Sequence, residues 1–150
     1  MAKVYLGSDH GGFELKEHLK GFIEKLGFQV IDFGAYSKDA VDYPDIAFLV
    51  AEKTASEPGS LGIMIDGAGM GSAVCANKVP GVRAAACYDT YGARNSREHN
   101  DVNVLTLGSM ITGRGIAEEI VKMWLSTPFA GGRHSRRVEK MMAIEKRFLK

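Results

Sequence analysis

Five short apolar runs alternate with helical patterns along this chain, and no tight hairpin signal joins one run to the next. That alternation is the strongest constraint on the fold. The runs are KVYLGS (3–8), FQVIDFG (28–34), LGIMID (61–66), VRAAAC (82–87) and NVLTLG (103–108). Between the first two, Phe13, Leu15, Leu19, Phe22, Ile23 and Leu26 recur with helical period over 12–26, and Gly27 supplies the stop. Further helices are expected over 46–55, 71–78, 90–99 and 115–126, with a charged last helix from about Arg133. Strands separated by helices assemble in parallel, because a parallel connection needs a crossover. The expectation is a three-layer α/β/α, doubly wound (Rossmann-like) domain with a five-stranded parallel sheet. In such sheets ligands bind beyond the carboxyl ends of the strands.

The chain has neither repeat nor interdomain linker, so its 150 residues read as one domain spanning 1–150. A net charge of +1 gives no electrostatic case for nucleic acid or a membrane surface as partner. No apolar run approaches a membrane span, and MAKVYLGSDH lacks the basic start and apolar core of a signal peptide. A cytoplasmic location is expected. Cys75 and Cys87 form no C-x-x-C and no zinc-spaced cluster, and read as reduced, largely buried residues without a metal. Cys87 holds more interest because it ends a strand.

Residues at and after the strands define a candidate site. The first strand delivers Ser8, Asp9 and His10, and the loop after the second carries Asp42 and Tyr43. The third ends in Asp66 and opens into Gly67, Ala68, Gly69, Met70, Gly71 and Ser72. The helix after the fourth strand ends in His99 and Asn100, just before the fifth. Two histidines, several carboxylates and a glycine-rich cradle suit proton transfer on a small polar substrate. Each has a plainer reading. Asp9 is a good helix N-cap, Tyr43 beside Pro44 suits turn packing, and His99 at a helix end complements the dipole.

The glycine loop is not a nucleotide fingerprint. Its Gly-Ala-Gly start reaches Ser72 where the dinucleotide motif needs Gly or Ala, and it follows the third strand instead of the first. What survives is physical: small residues let backbone N–H groups approach ligand oxygens, at a helix start that favours negative charge. A developing enediolate is stabilised there as an oxyanion is. Near the other terminus, Arg133 and Arg137 are four residues apart and share a helix face that can clamp an anion such as phosphate, with His134 beside them.

GSDHGGFELKEHL, VDYPD, the glycine loop with ANKVPGVRAA, ARNSREHNDVNVLTLG and WLSTPFAGGRHSRRVEK together resemble the ribose-5-phosphate isomerase B / galactose-6-phosphate isomerase family, in order from residue 3 to about 145. The resemblance implies an aldose–ketose isomerase of sugar phosphates in carbohydrate metabolism that uses no metal and no organic cofactor. It also implies a homodimer with sites shared between chains, the C-terminal helix reaching over its neighbour, and allows a dimer of dimers. Carried over by motif, Asp9, His10 and Tyr43 contact the sugar, with Asp9 among the catalytic groups. His99 assists ring opening, and Asn100 binds substrate oxygens. The amides of Gly67, Ala68, Gly69, Gly71 and Ser72 hold the enediolate, and Arg133, Arg137 and His134 or His10 meet the phosphate.

Three positions depart from the family pattern. Many members carry Cys-Gly-Thr/Ser-Gly where this chain has Asp66-Gly67-Ala68-Gly69, the Cys thiolate serving as base. Others use a Glu at the position of Ser72. Asp66 is therefore the expected base here, the plainer readings being that it hydrogen-bonds the loop amides or that catalysis is lost. An ordinary Asp, with a pKa of about 3.9, is ionised at neutral pH yet only weakly basic. Ala68 lacks a hydroxyl the family places beside the reacting oxygens, and Met110 stands where an Arg helps grip phosphate. The expected activity is enediolate isomerisation, with ribose 5-phosphate/ribulose 5-phosphate as default pair. The alternatives are a different tetrose, pentose or hexose phosphate, or a sugar-phosphate-binding paralogue without catalysis.

Overall fold

The β-branched and Leu-rich runs form the middle of a twisted parallel sheet because both of its faces are covered. In the computed structural model, residues 2–150 are described, and residue 1 of the expected 1–150 domain lies outside them. The elements are β1 (Lys3–Ser8), α1 (Phe13–Lys25), β2 (Gln29–Asp32), α2 (Tyr43–Ser56), β3 (Leu61–Asp66), α3 (Met70–Ala76), β4 (Ala84–Ala86), α4 (Thr90–Glu98), β5 (Val104–Gly108), α5 (Arg114–Ser126) and α6 (Arg133–Lys146). Strand order is β2-β1-β3-β5-β4, with every neighbouring pair parallel. The expected three-layer α/β architecture is what the chain adopts.

Strand alternation decides which residues meet which layer. Val4, Leu6, Ile63, Ile65, Leu105 and Leu107 are fully buried against Leu19 and Ile23 of α1 and Ala117, Ile120, Val121 and Trp124 of α5. The opposite face is covered by α2 and α3, where Val104 packs with Ala51, Ala76 and Val82. Gly62 belongs here, since any side chain at that position would run into Thr54 and Val50 of α2.

Local chemistry explains where the elements differ from expectation. Helix α2 starts at Tyr43, three residues before the apolar periodicity, because Pro44 occupies its first turn, where a missing N–H costs nothing. Lys16 of α1 is fully buried, its ammonium 2.6 Å from Asp32 and 2.8 Å from Glu17. Asp32 also accepts a hydrogen bond from the Gly34 amide at 2.8 Å, so this pair ties α1 to the end of β2. No described helix is long and apolar enough to cross a membrane.

Because all five strands run the same way, the sheet has a carboxyl edge at Ser8, Asp32, Asp66, Ala86 and Gly108 and an amino edge at the strand starts. The two are separated by about 13 Å across a five-residue strand. Every helix that follows a strand runs back towards the amino edge. The directions of α4 and α5 determine how the candidate residues are distributed.

Candidate active site

The structure divides the expected site residues between the two edges. Asp9, His10, Tyr43, Asp66 and the 67–72 loop lie at the carboxyl edge. His99 and Asn100 do not join them, because α4 carries the chain back before β5 begins. The turn after α4 lies beside the starts of β3 and β4: the Asn103 carbonyl accepts from the Gly62 amide at 2.9 Å, and its side-chain oxygen accepts from the Arg83 amide at 2.8 Å. Gathering His99 with the strand-end residues on sequence position alone overlooks this return path. Arg133 and His134 follow α5 to the same amino edge, where the Ala130 amide donates to the Glu98 carbonyl at 3.0 Å.

At the carboxyl edge the loop after β3 curls around the Asp66 side chain. That side chain is 5% exposed. Its Oδ1 accepts a hydrogen bond from the Gly69 amide, and its Oδ2 accepts from the Ser72 amide at 3.0 Å and the Ser72 hydroxyl at 2.7 Å. Gly69 is required by its backbone, which has φ 77° in the left-handed region, with a would-be Cβ 3.1 Å from the Leu107 carbonyl carbon. Gly71 is required by its neighbour, because a Cβ there would overlap the Tyr43 ring. Tyr43 thus lies packed against the loop.

Two of the five amides expected to cradle an enediolate, those of Gly69 and Ser72, are engaged by Asp66. The donors that Asp66 does not engage are Gly67, Ala68, Met70 and Gly71. The Ala68 carbonyl accepts from the Tyr88 hydroxyl at 2.8 Å, which pins the loop tip. Ser72 is fully buried, so its hydroxyl faces the carboxylate and not a ligand.

Asp9 performs its plainer role: Oδ1 accepts from the Gly12 amide at 3.0 Å and caps the short helical turn His10–Gly12. His10 is exposed, with Nδ1 3.2 Å from both the amide and the carbonyl of Val41. Met110 extends over the loop, 85% exposed, with its amide donating to the Gly67 carbonyl at 2.9 Å. Cys87 is buried against Ser96, and burial pushes its thiol up from the ordinary range, so the strand-end position gives it no reactivity.

The amino-edge group is built around a turn with a strained residue. Asp101 has φ 48° and sits between Arg83 (3.4 Å) and Arg97 (3.5 Å). Arg97 also donates to the Val102 carbonyl at 2.5 Å and lies 5.6 Å over the Trp124 ring. Burial lowers the Arg97 pKa, with Asp101 opposing. This clamp displays His99, whose ring stacks on His134 with centroids 4.1 Å apart and planes 12° from parallel. Burial first, then the nearby His99, Arg133 and Arg137, hold the His134 imidazole below its ordinary value, so the neutral form is favoured. Arg133 and Arg137 are exposed on the first turns of α6. Asn100 donates to Asn95 at 3.2 Å and lines an 880 Å³ cavity between β4 and α6 that does not include the glycine loop.

Sequence reading missed the Arg83–Asp101–Arg97 clamp and the histidine stack. The available signal was directional: a helix leaving the carboxyl edge must deliver its last residues to the opposite one. Among the described residues, no three His, Cys, Asp or Glu side chains converge as a metal site requires.

The fold and site place the chain in the class of doubly wound α/β proteins with a carboxylate-bearing glycine loop at a strand end. A model of the family described as Ribose/Galactose Isomerase matches residues 4–141. Ribose-5-phosphate isomerase B of Escherichia coli (strain K12) is 44% identical over 147 residues, which cover 98% of this chain and 99% of that protein. The structure of ribose-5-phosphate isomerase B from Clostridium thermocellum superposes with a TM-score of 0.95 at 49% identity, covering 98% of this chain and 99% of that one. The Mycoplasma genitalium ribose-5-phosphate isomerase B structure with bound ribulose-5-phosphate gives a TM-score of 0.91 at 39% identity, covering 96% of each chain. This chain belongs to the ribose/galactose isomerase family.

Proposed function

We propose that the protein is an aldose–ketose isomerase of a phosphorylated sugar, with ribose 5-phosphate and ribulose 5-phosphate the default pair. The observation that carries this reading is the buried Asp66 carboxylate held beneath a loop with backbone donors to spare. Asp66 takes the C2 proton of the open-chain aldose and, after partial exchange with solvent, returns a proton to C1, while a hydroxyl proton passes from O2 to O1. Loop amides not engaged by Asp66 stabilise the enediolate between the two steps. His99 assists ring opening, and Arg133 and Arg137 attract the phosphate.

These groups occupy opposite edges of one chain, so the working site needs the carboxyl edge of one copy and the amino edge of another. The exposed Met141 and Ile144 of α6, followed by Phe148, support pairing through that helix, since such apolar side chains gain by leaving water. In heavy water, the active substrate pair takes up deuterium at C2 of the aldose. Asp66→Asn lowers kcat by about 10²–10⁴-fold, the usual contribution of a positioned base. Full activity of that variant sinks the assignment. The engagement of both Asp66 oxygens by the loop favours one second reading, a sugar-phosphate-binding protein without turnover. Calorimetric binding with no isotope exchange would select it.

A further inference from the structure

We infer that Ser72 is the positioning residue for the Asp66 base and that Oδ1 is the oxygen that accepts the substrate proton. This rests on the proposed role of Asp66 and assigns the roles within its carboxylate. An ionised carboxylate has about four lone-pair sites. Both sites of Oδ2 are taken by Ser72, through its amide at 3.0 Å and its hydroxyl at 2.7 Å. Oδ1 accepts only the Gly69 amide, which leaves one site open. The two oxygens are therefore inequivalent, and only Oδ1 has capacity for a proton from carbon.

Burial makes Ser72 suitable for this role. Its side chain is fully buried, so the hydroxyl has no access to a bound sugar. The hydroxyl and amide of one residue bracket the same oxygen and fix the rotation of the carboxylate about its Cβ–Cγ bond. That torsion is otherwise broad. Proton transfer from carbon requires the base close to in line with the C–H bond, and a displacement of about 1 Å can cost on the order of 10²-fold. During turnover the C2 proton passes to Oδ1, the C–H electron pair enters the enediolate, and a proton, exchanged in part with solvent, leaves Oδ1 for C1. Oδ2 remains with Ser72 throughout.

The test uses the full-length protein and the sugar phosphate on which it is active, protiated and deuterated at C2. Ser72→Ala should lower kcat by about 10- to 100-fold, leave KM within about twofold and raise the primary isotope effect on kcat, because a mispositioned base makes proton transfer more rate-limiting. Ser72→Cys, close in size with a weaker donor, should fall between the parent and Ser72→Ala, and it carries the test if the alanine variant does not fold. A kcat for Ser72→Ala within about threefold of the parent, or equal losses in both variants with an unchanged isotope effect, overturns the inference. Asp66→Asn separates the two readings. Its full activity removes the base itself, whereas an inactive Asp66→Asn beside an unaffected Ser72→Ala overturns only the role of Ser72.

Discussion

The two edges of the sheet are built in different ways. At the carboxyl edge, backbone amides and carboxylates do the holding: Asp9 caps the turn that follows it, and Asp66 gathers the loop that follows it. At the amino edge, side chains hold one another, with two arginines on Asp101 and one imidazole stacked on another. The carboxyl edge brings the candidate base and the amide donors. The amino edge brings the exposed cations Arg133 and Arg137. One edge is suited to moving a proton and the other to attracting an anion, and a strand's length separates them within one chain.

The largest expected effect comes from inactivating each edge separately and mixing the products. Asp66→Asn and His99→Asn proteins should each be nearly inactive. If the protein pairs as proposed, the mixture should recover about a quarter of the parental activity after subunit exchange, because half of randomly formed dimers are mixed and one of their two sites is intact. Steady-state assay before and after exchange reads this directly. No recovery once mass spectrometry shows mixed dimers would place both groups in one chain's site.

A smaller effect tests the backbone-built edge. Gly69→Ala forces a side chain into left-handed backbone and against the Leu107 carbonyl. It should destabilise the protein by about 1–2 kcal/mol, read as a lower urea midpoint with an unchanged m value. A midpoint equal to the parent's would mean that the loop can relax.

The smallest effect concerns the amino edge and appears only with pH. The His134 pKa lies below its ordinary 6.5 in the folded protein, so the unfolded chain binds more protons. This group's contribution is most favourable above the unfolded value, and stability is lost as pH falls through about 6.5 towards the folded value. Melting temperature followed across that window should fall less steeply for His134→Asn than for the parent. Equal slopes would assign the pH dependence to other groups.

The sheet was legible because its signals are local. Apolar runs of strand length, a helical stripe through Leu15, Leu19 and Ile23, and Pro44 in a first turn are all readable within a few residues. The glycine loop was legible as a cradle for the same reason. The location of His99 was not read correctly, although the rule for it is simple: α4 reverses the chain, so a residue just before a strand belongs to the opposite edge. Of the two partners of Asp101, Arg97 lies four residues away and is within reach of local reading, whereas Arg83 meets it through the sheet and not through sequence spacing.

By itself the sequence determined a parallel α/β sheet, a carboxylate at the mouth of a glycine loop and a pair of arginines on one helical face. These follow from period, propensity and the fixed spacing of helical turns. Only the tertiary structure decided that Ser72 turns inward to Asp66 and that His99 stacks on His134 far from that carboxylate. Hydrogen-bond geometry and strand direction are set when distant segments pack, and neither is encoded in the identity of one residue or its neighbours.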